Sequence, residues 1–128
     1  MGARPVTVLT VDDQQVFRRA ARKLIAATPG FLQVGEAASG RQAVKLAAEL
    51  RPDMVLVDVR MPGMDGLETT RRLAETTPDS VVVLISTEEV PELPAAIDEV
   101  GAAVHVCKRA LSTDALQEIW KAHGHPVA

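Results

Sequence analysis

Apolar positions along this chain follow two rhythms, short unbroken runs and longer segments in which they recur three and four residues apart. Val6 to Val11 is the first run, and it ends on Asp12-Asp13; a short β-branched run of this kind predicts a strand. From Gln14 to about Thr28, Phe17, Ala20, Leu24 and either Ala21 or Ala27 fall at helical spacing, with Asp13 placed to cap the helix and Thr28-Pro29-Gly30 to stop it. Phe31 to Ala37 predicts a second strand, weakened at Gly35. Ser39-Gly40-Arg41-Gln42 has capping-box spacing, and Ala43, Leu46, Ala47 and Leu50 behind it form an i, i+3, i+4, i+7 stripe.

Arg51-Pro52 ends that helix. Met54 to Val57 is apolar throughout, as suits a strand buried on both faces, and it stops abruptly on Asp58, with Pro62, Gly63 and Gly66 punctuating the loop beyond. Asp65 then caps a third helix to roughly Thr76, burying Leu67, Leu73 or Thr70, and Ala74. Pro78-Asp79-Ser80 turns into the run Val81 to Ile85, which ends on Ser86-Thr87. Pro91 and Pro94 forbid a regular helix across Glu88 to Val100, leaving a loop and a short helix over Ala95 to Val100 closed by Gly101. Ala102 to Cys107 is the fifth strand, followed by Lys108. Ser112 caps a last helix through Ile119 and Trp120 to Gly124, with Leu111 and Leu116 as its hydrophobic staple and Pro126 barring continuation.

Five βα units predict an α/β fold: a doubly wound, five-stranded parallel sheet in the order 2-1-3-4-5 with right-handed crossovers. The 128 residues, 47% apolar, suit one domain over 1–128 with its core at about 6–123. A net charge of −3 with the 14 basic residues scattered gives no electrostatic footprint for nucleic acid. Cys107, the single cysteine, is expected to be buried and inert. The N-terminus lacks a signal-peptide pattern, Val6 stands where myristoylation requires Ser or Thr, and no run is long enough to span a membrane, so a cytoplasmic domain is expected.

In the predicted sheet, strands one, three, four and five bring Asp12 and Asp13, Asp58, Ser86 and Lys108 to one edge, where open α/β sheets place their ligands. Carboxylates about 4 Å apart at an effective dielectric near 20 repel by roughly 4 kcal/mol per pair, so protons or a cation must settle them. A hard divalent ion, Mg²⁺ foremost, takes such oxygen ligands. Together these groups suit phosphoryl transfer, with a carboxylate as nucleophile and the amine and hydroxyl holding phosphoryl oxygens.

The ordered set closely resembles the receiver domains of two-component response regulators: an acid pair after strand one, Asp58-x-x-Met61-Pro62-Gly63-Met64-Asp65-Gly66, Ser86-Thr87 after strand four, and Lys108 after strand five. The resemblance covers about residues 6–123 and implies a flavodoxin-like (βα)5 fold. It implies that Asp58 accepts phosphate from a histidine kinase or phosphotransfer protein. Asp12, Asp13, Asp58 and the backbone carbonyl of Arg60 would bind Mg²⁺, and Ser86 and Lys108 would sense the phosphoryl group. His105 occupies the family's switch position, where Tyr or Phe is usual, on the surface formed by helix four, strand five and helix five; its reading as a partly buried strand residue without a switching role stays open. Arg109 replaces a common Pro, so a cis peptide is not expected there, and Thr87 is bulkier than the usual Ala or Gly.

Arg60 and Glu88 stand at positions that in the family border the path of the hydrolytic water, and a pair between them across the site is expected to slow loss of the phosphoryl group; Thr87, by its bulk, is expected to narrow access to the phosphoryl site and so also to affect that lifetime. Only weak self-phosphorylation and self-dephosphorylation are implied, rather than enzyme turnover, in a monomer or a phosphorylation-dependent homodimer. Gly101-Ala102-Ala103 and Lys108 to Ser112 most resemble receivers of the LuxR/NarL/FixJ class, though no DNA-binding segment follows the last helix; a stand-alone receiver and a piece of a longer regulator are both open. His123 and His125 are read as a frayed end. Two alternatives accompany this reading. One is a degenerate receiver that binds partners without phosphorylation. The other is a haloacid-dehalogenase-like phosphatase, which requires Asp-x-Asp where this chain has Asp58-Val59-Arg60.

Overall fold

The computed structural model describes residues 4–87 and 93–125. Its order is β1 (Val6–Val11), α1 (Gln15–Ala27), β2 (Phe31–Ala37), α2 (Gly40–Leu50), β3 (Met54–Asp58), α3 (Gly66–Thr76), β4 (Val81–Ser86), α4 (Leu93–Val100), β5 (Val104–Cys107) and α5 (Thr113–His123). The strands form one parallel sheet ordered β2-β1-β3-β4-β5, as the alternation of runs and stripes implies. Alternate strand residues feed two cores. Leu9, Val11, Val55, Val57, Val82 and Leu84 meet Ala43 and Ala47 of α2, Leu73 of α3 and Val100 of α4 on one face. Val8, Met54, Leu56, Val83 and Ile85 meet Ile25 of α1 and Leu116 and Ile119 of α5 on the other. Each fully buried Leu or Ile contributes about 1.5–3 kcal/mol, so the central strands are held rigidly from both sides.

Register is what positions the site. Val11 lies opposite Val57, Asp58 opposite Ile85, and Ser86 opposite Cys107. The residues that end these strands or follow them, Asp12, Asp58, Ser86 and Lys108, therefore line up along the carboxyl edge.

Several local expectations are corrected. Asp13 does not cap α1: Gln14 holds the N-cap position without a side-chain bond, and Asp12 Oδ1 accepts the Gln14 N–H at 2.8 Å. Ala21 and Ile25 are the buried positions of α1, whereas Ala20 and Ala27 are exposed. On α3 both Thr70 and Leu73 are buried and Ala74 is exposed. Leu50, at the end of the α2 stripe, is 39% exposed. Helix α4 starts earlier than expected because Pro94 falls in its first turn, where a missing N–H costs nothing; Pro91 lies outside the described residues. Gly101, at φ 87°, closes α4 with its N–H on the Ile97 carbonyl. Strand β5 is shorter than expected and runs into a 3-10 turn, Lys108–Ala110. Cys107 is partly exposed rather than buried.

The caps follow the sequence signals. Ser39, Asp65 and Ser112 accept the N–H groups of Gln42, Glu68 and Ala115 at 3.1, 2.9 and 3.0 Å. The capping box of α2 is offset: Gln42 reaches back to the N–H of Ala38 rather than Ser39. Strand β2 carries a bulge where Leu9 pairs with Gly35, and a Cβ on Gly35 would press on Leu9 and Leu50, so the weak point read from Gly35 is real. Among the described residues no helix is long and apolar enough to cross a membrane.

Candidate functional site

Asp12 is fully buried at the end of β1. Its Oδ2 lies 2.7 Å from Lys108 Nζ, yet no aligned hydrogen-bond donor reaches that oxygen among the described residues, so it rests on the charge of the ammonium alone. Lys108 enters from the turn after β5, and its ammonium also sits 4.3 Å from the centre of the Phe17 ring on α1, a cation–π contact that fixes where the amine can reach. Asp13, next in the chain, is exposed. Asp58 closes β3 at 7% exposure. One oxygen from each of Asp12, Asp13 and Asp58 lies within 4.8 Å of the others.

That crowding shows in Asp58. Burial above all, then the charge of Asp12 and to a smaller degree Asp13, pushes its carboxyl up to about 6, against the pull of Lys108 and of the Arg60 backbone N–H that bonds to it. The fit to a metal can be judged from these atoms: a buried carboxylate oxygen without an aligned donor, an all-oxygen donor set and a carboxyl destabilised by its neighbours suit a hard divalent cation, and nothing in the set favours a soft one.

The loop after β3 is held by its glycines. Gly63 takes φ 75°, a region that side chains disfavour. A Cβ at Gly66 would collide with the carbonyl oxygen of Asp58 and the Cα of Val59, while the Gly66 N–H closes the loop on the Val59 carbonyl at 2.9 Å. The residue pair Pro62-Gly63 thus turns the chain, and Gly66 lets α3 start directly against the end of β3.

Ser86, 3% exposed at the end of β4, lies with its Oγ 2.6 Å from Nε2 of His105 on β5. Which partner donates depends on the imidazole tautomer. A cavity of about 250 Å³ opens over these groups, lined by Gln14, Asp58, Arg60, Ser86, Thr87 and Lys108. The structure therefore gathers Asp12, Asp13, Asp58, Ser86 and Lys108 at one edge, with His105 behind Ser86 and the exposed Arg60 and Thr87 at the rim. Glu88, and with it the expected Arg60–Glu88 pair, lies outside the described residues. No cis peptide occurs among the described residues, as the Lys108-Arg109 step leads one to expect.

Sequence reasoning missed the contacts of Phe17 and Gln14. Phe17 carried only a core signal, its helical spacing, and nothing local marks it as the seat for Lys108. His125 lines a separate cavity of about 480 Å³ at the opposite end of the sheet, with Arg4, Arg51 and Asp53.

A buried acid beside an acid pair, an amine and a hydroxyl at the carboxyl edge of a 2-1-3-4-5 sheet is the arrangement of a receiver. Residues 8–121 match the response regulator receiver domain family, and the chain belongs to it; it is a receiver domain of a two-component response regulator. It is 40% identical over 114 residues to the response regulator GacA of Pseudomonas aeruginosa, covering 89% of this chain and 53% of that protein. To the response regulator UvrY of Escherichia coli K12 it is 35% identical over 114 residues, covering 89% and 52%. The chain thus spans about half the length of the curated relatives it matches. Among solved structures it resembles the signal receiver domain of NarL from Mycobacterium tuberculosis, with TM-score 0.84, 28% identity and coverage of 93% and 96% of the two chains. A LuxR-family two-component response regulator from Aurantimonas gives TM-score 0.82, 28% identity and coverage of 92% and 84%. Family membership displaces the haloacid-dehalogenase-like alternative.

Proposed function

We propose that the domain is a phosphoacceptor switch in which Asp58 takes a phosphoryl group from the phosphohistidine of a histidine kinase or phosphotransfer protein. The observation that supports this most is the Asp58 carboxyl itself: nearly buried, crowded by two acids, and open to a cavity that also presents Lys108 and Ser86. An Asp58 oxygen attacks phosphorus, the phosphorus–nitrogen bond breaks, and the donor imidazole leaves with the electron pair. Asp12, Asp13, Asp58 and the backbone carbonyl of Arg60 are the groups that would hold Mg²⁺. When bound, the ion neutralises the acids and the incoming phosphoryl oxygens.

Lys108, now on Asp12, lines the same cavity as Asp58 and pairs with a phosphoryl oxygen there. Ser86 turns its proton to another. Because Ser86 is hydrogen-bonded to His105, that turn must rearrange the imidazole, and the change reaches the surface of α4, β5 and α5. There an output partner or a second copy docks. Arg60 and Thr87 at the rim, with Glu88, set the lifetime of the phosphoryl group by controlling water.

The test is intact-mass measurement after incubation with a small phosphodonor, with and without Mg²⁺. A Mg²⁺-dependent gain of one phosphoryl group, base-labile and lost in Asp58→Ala, is expected. No adduct in the wild type means a degenerate receiver that works through binding alone.

A further inference from the structure

The β1–α1 turn is gripped from the side away from Lys108. Arg18 of α1 donates through NH1 to the backbone carbonyl of Asp12 at 2.7 Å, and its Nε lies 3.6 Å from Glu36 Oε1 at the end of β2. Both side chains are about four-fifths covered, with 18% and 20% exposure. Glu36 is itself oriented: Arg22 donates to it at 2.6 Å and Gln33 at 2.9 Å, while Gln33 accepts from the fully buried Thr10 hydroxyl at 2.8 Å. On the other side of the same residue, the Asp12 N–H bonds the Ala37 carbonyl at 3.0 Å.

The Asp12 carbonyl belongs to the peptide plane that carries the Asp13 N–H. Asp13 is exposed and α1 has no side-chain N-cap, so the orientation of that plane bears on where the Asp13 side chain leaves the backbone. We propose that Arg18, braced by Glu36, is a positioning residue for the acid pair: it locks the peptide between Asp12 and Asp13 and thereby sets how Asp13 meets a divalent cation. The inference rests on the metal reading given above. Charge and geometry act here in opposite directions. Deleting a guanidinium near a cation site strengthens binding if only charge matters, and weakens it if Arg18 acts by holding the turn.

The experiment is Mg²⁺ titration of the full chain, followed by amide NMR shifts, together with hydrogen exchange of the Gln14 amide and thermal unfolding. Arg18→Ala is expected to weaken Mg²⁺ binding about five-fold and to speed Gln14 exchange about ten-fold. Arg18→Lys restores neither, since one ammonium cannot bridge a carbonyl and Glu36 as the guanidinium fork does. Arg22→Ala, which removes a Glu36 bond without touching Asp12, is expected to change Mg²⁺ binding less than two-fold. Equal or tighter Mg²⁺ binding by Arg18→Ala, or equal weakening by Arg22→Ala, overturns the proposal. If the wild type binds no Mg²⁺, the metal reading fails, and the Gln14 exchange rates still decide the clasp: unchanged exchange in Arg18→Ala rejects it.

Discussion

At the scale of single residues, Asp58 is where the fold works against itself. Its carboxyl sits at about 6 instead of 3.8, which disfavours the charged form by about 3 kcal/mol without a cation. The sign follows: the folded protein holds a proton there that the unfolded chain has lost, so the penalty is absent below about 3.8, grows as pH rises, and is complete above about 6. In Mg²⁺-free buffer, urea unfolding should show Asp58→Asn more stable than wild type by about 2–3 kcal/mol at pH 7.5, and by much less at pH 4. An equal difference at both pH values contradicts the burial argument. Added Mg²⁺ should shrink the gain at pH 7.5. The Ser86–His105 bond makes a separate prediction. In a double-mutant cycle, Ser86→Ala and His105→Phe should couple by about 1 kcal/mol in unfolding experiments, and strictly additive losses would show that the bond contributes nothing.

At the scale of elements, close approach of α3 to β3 is the exacting contact. Gly66→Ala places a methyl against backbone atoms of Asp58 and Val59 that cannot move without shifting the end of β3, so a loss of about 2–3 kcal/mol is expected in thermal or urea unfolding. Asp65→Ala, which removes only a cap bond at the same helix start, should cost about 1 kcal/mol; a Gly66 variant no worse than the cap variant contradicts the packing account. These elements were legible because capping and strand burial are local. Ser39, Asp65 and Ser112 announce their helices, and Met54 to Val57 has the composition of a strand covered on both faces. Helix faces were less legible. In α1 two adjacent stripes, Phe17–Leu24 and Ala21–Ile25, compete, and only the tertiary partner decides that Ile25 points furthest in. Ala74 and Leu50 stand near helix ends, where the neighbouring element sets exposure and periodicity does not.

At the scale of the molecule, the parallel order and register bring residues far apart in sequence to one edge, and this convergence was readable because the apolar runs of β1, β3, β4 and β5 each give way to a charged or hydroxyl residue. The seat of Lys108 on Phe17 and the Arg18–Glu36 clasp were not readable, since each joins elements through side chains whose local patterns signal only a helix face or a strand end. The proposed switch requires Asp58 to be the one acceptor among the three gathered carboxylates. The most direct measurement is to phosphorylate the protein with a small donor and Mg²⁺, reduce the acyl phosphate with borohydride, and map the resulting homoserine by peptide mass spectrometry. Conversion at Asp58 alone is the predicted result, whereas conversion at Asp12 or Asp13, or phosphorylation that persists in Asp58→Ala, contradicts the account.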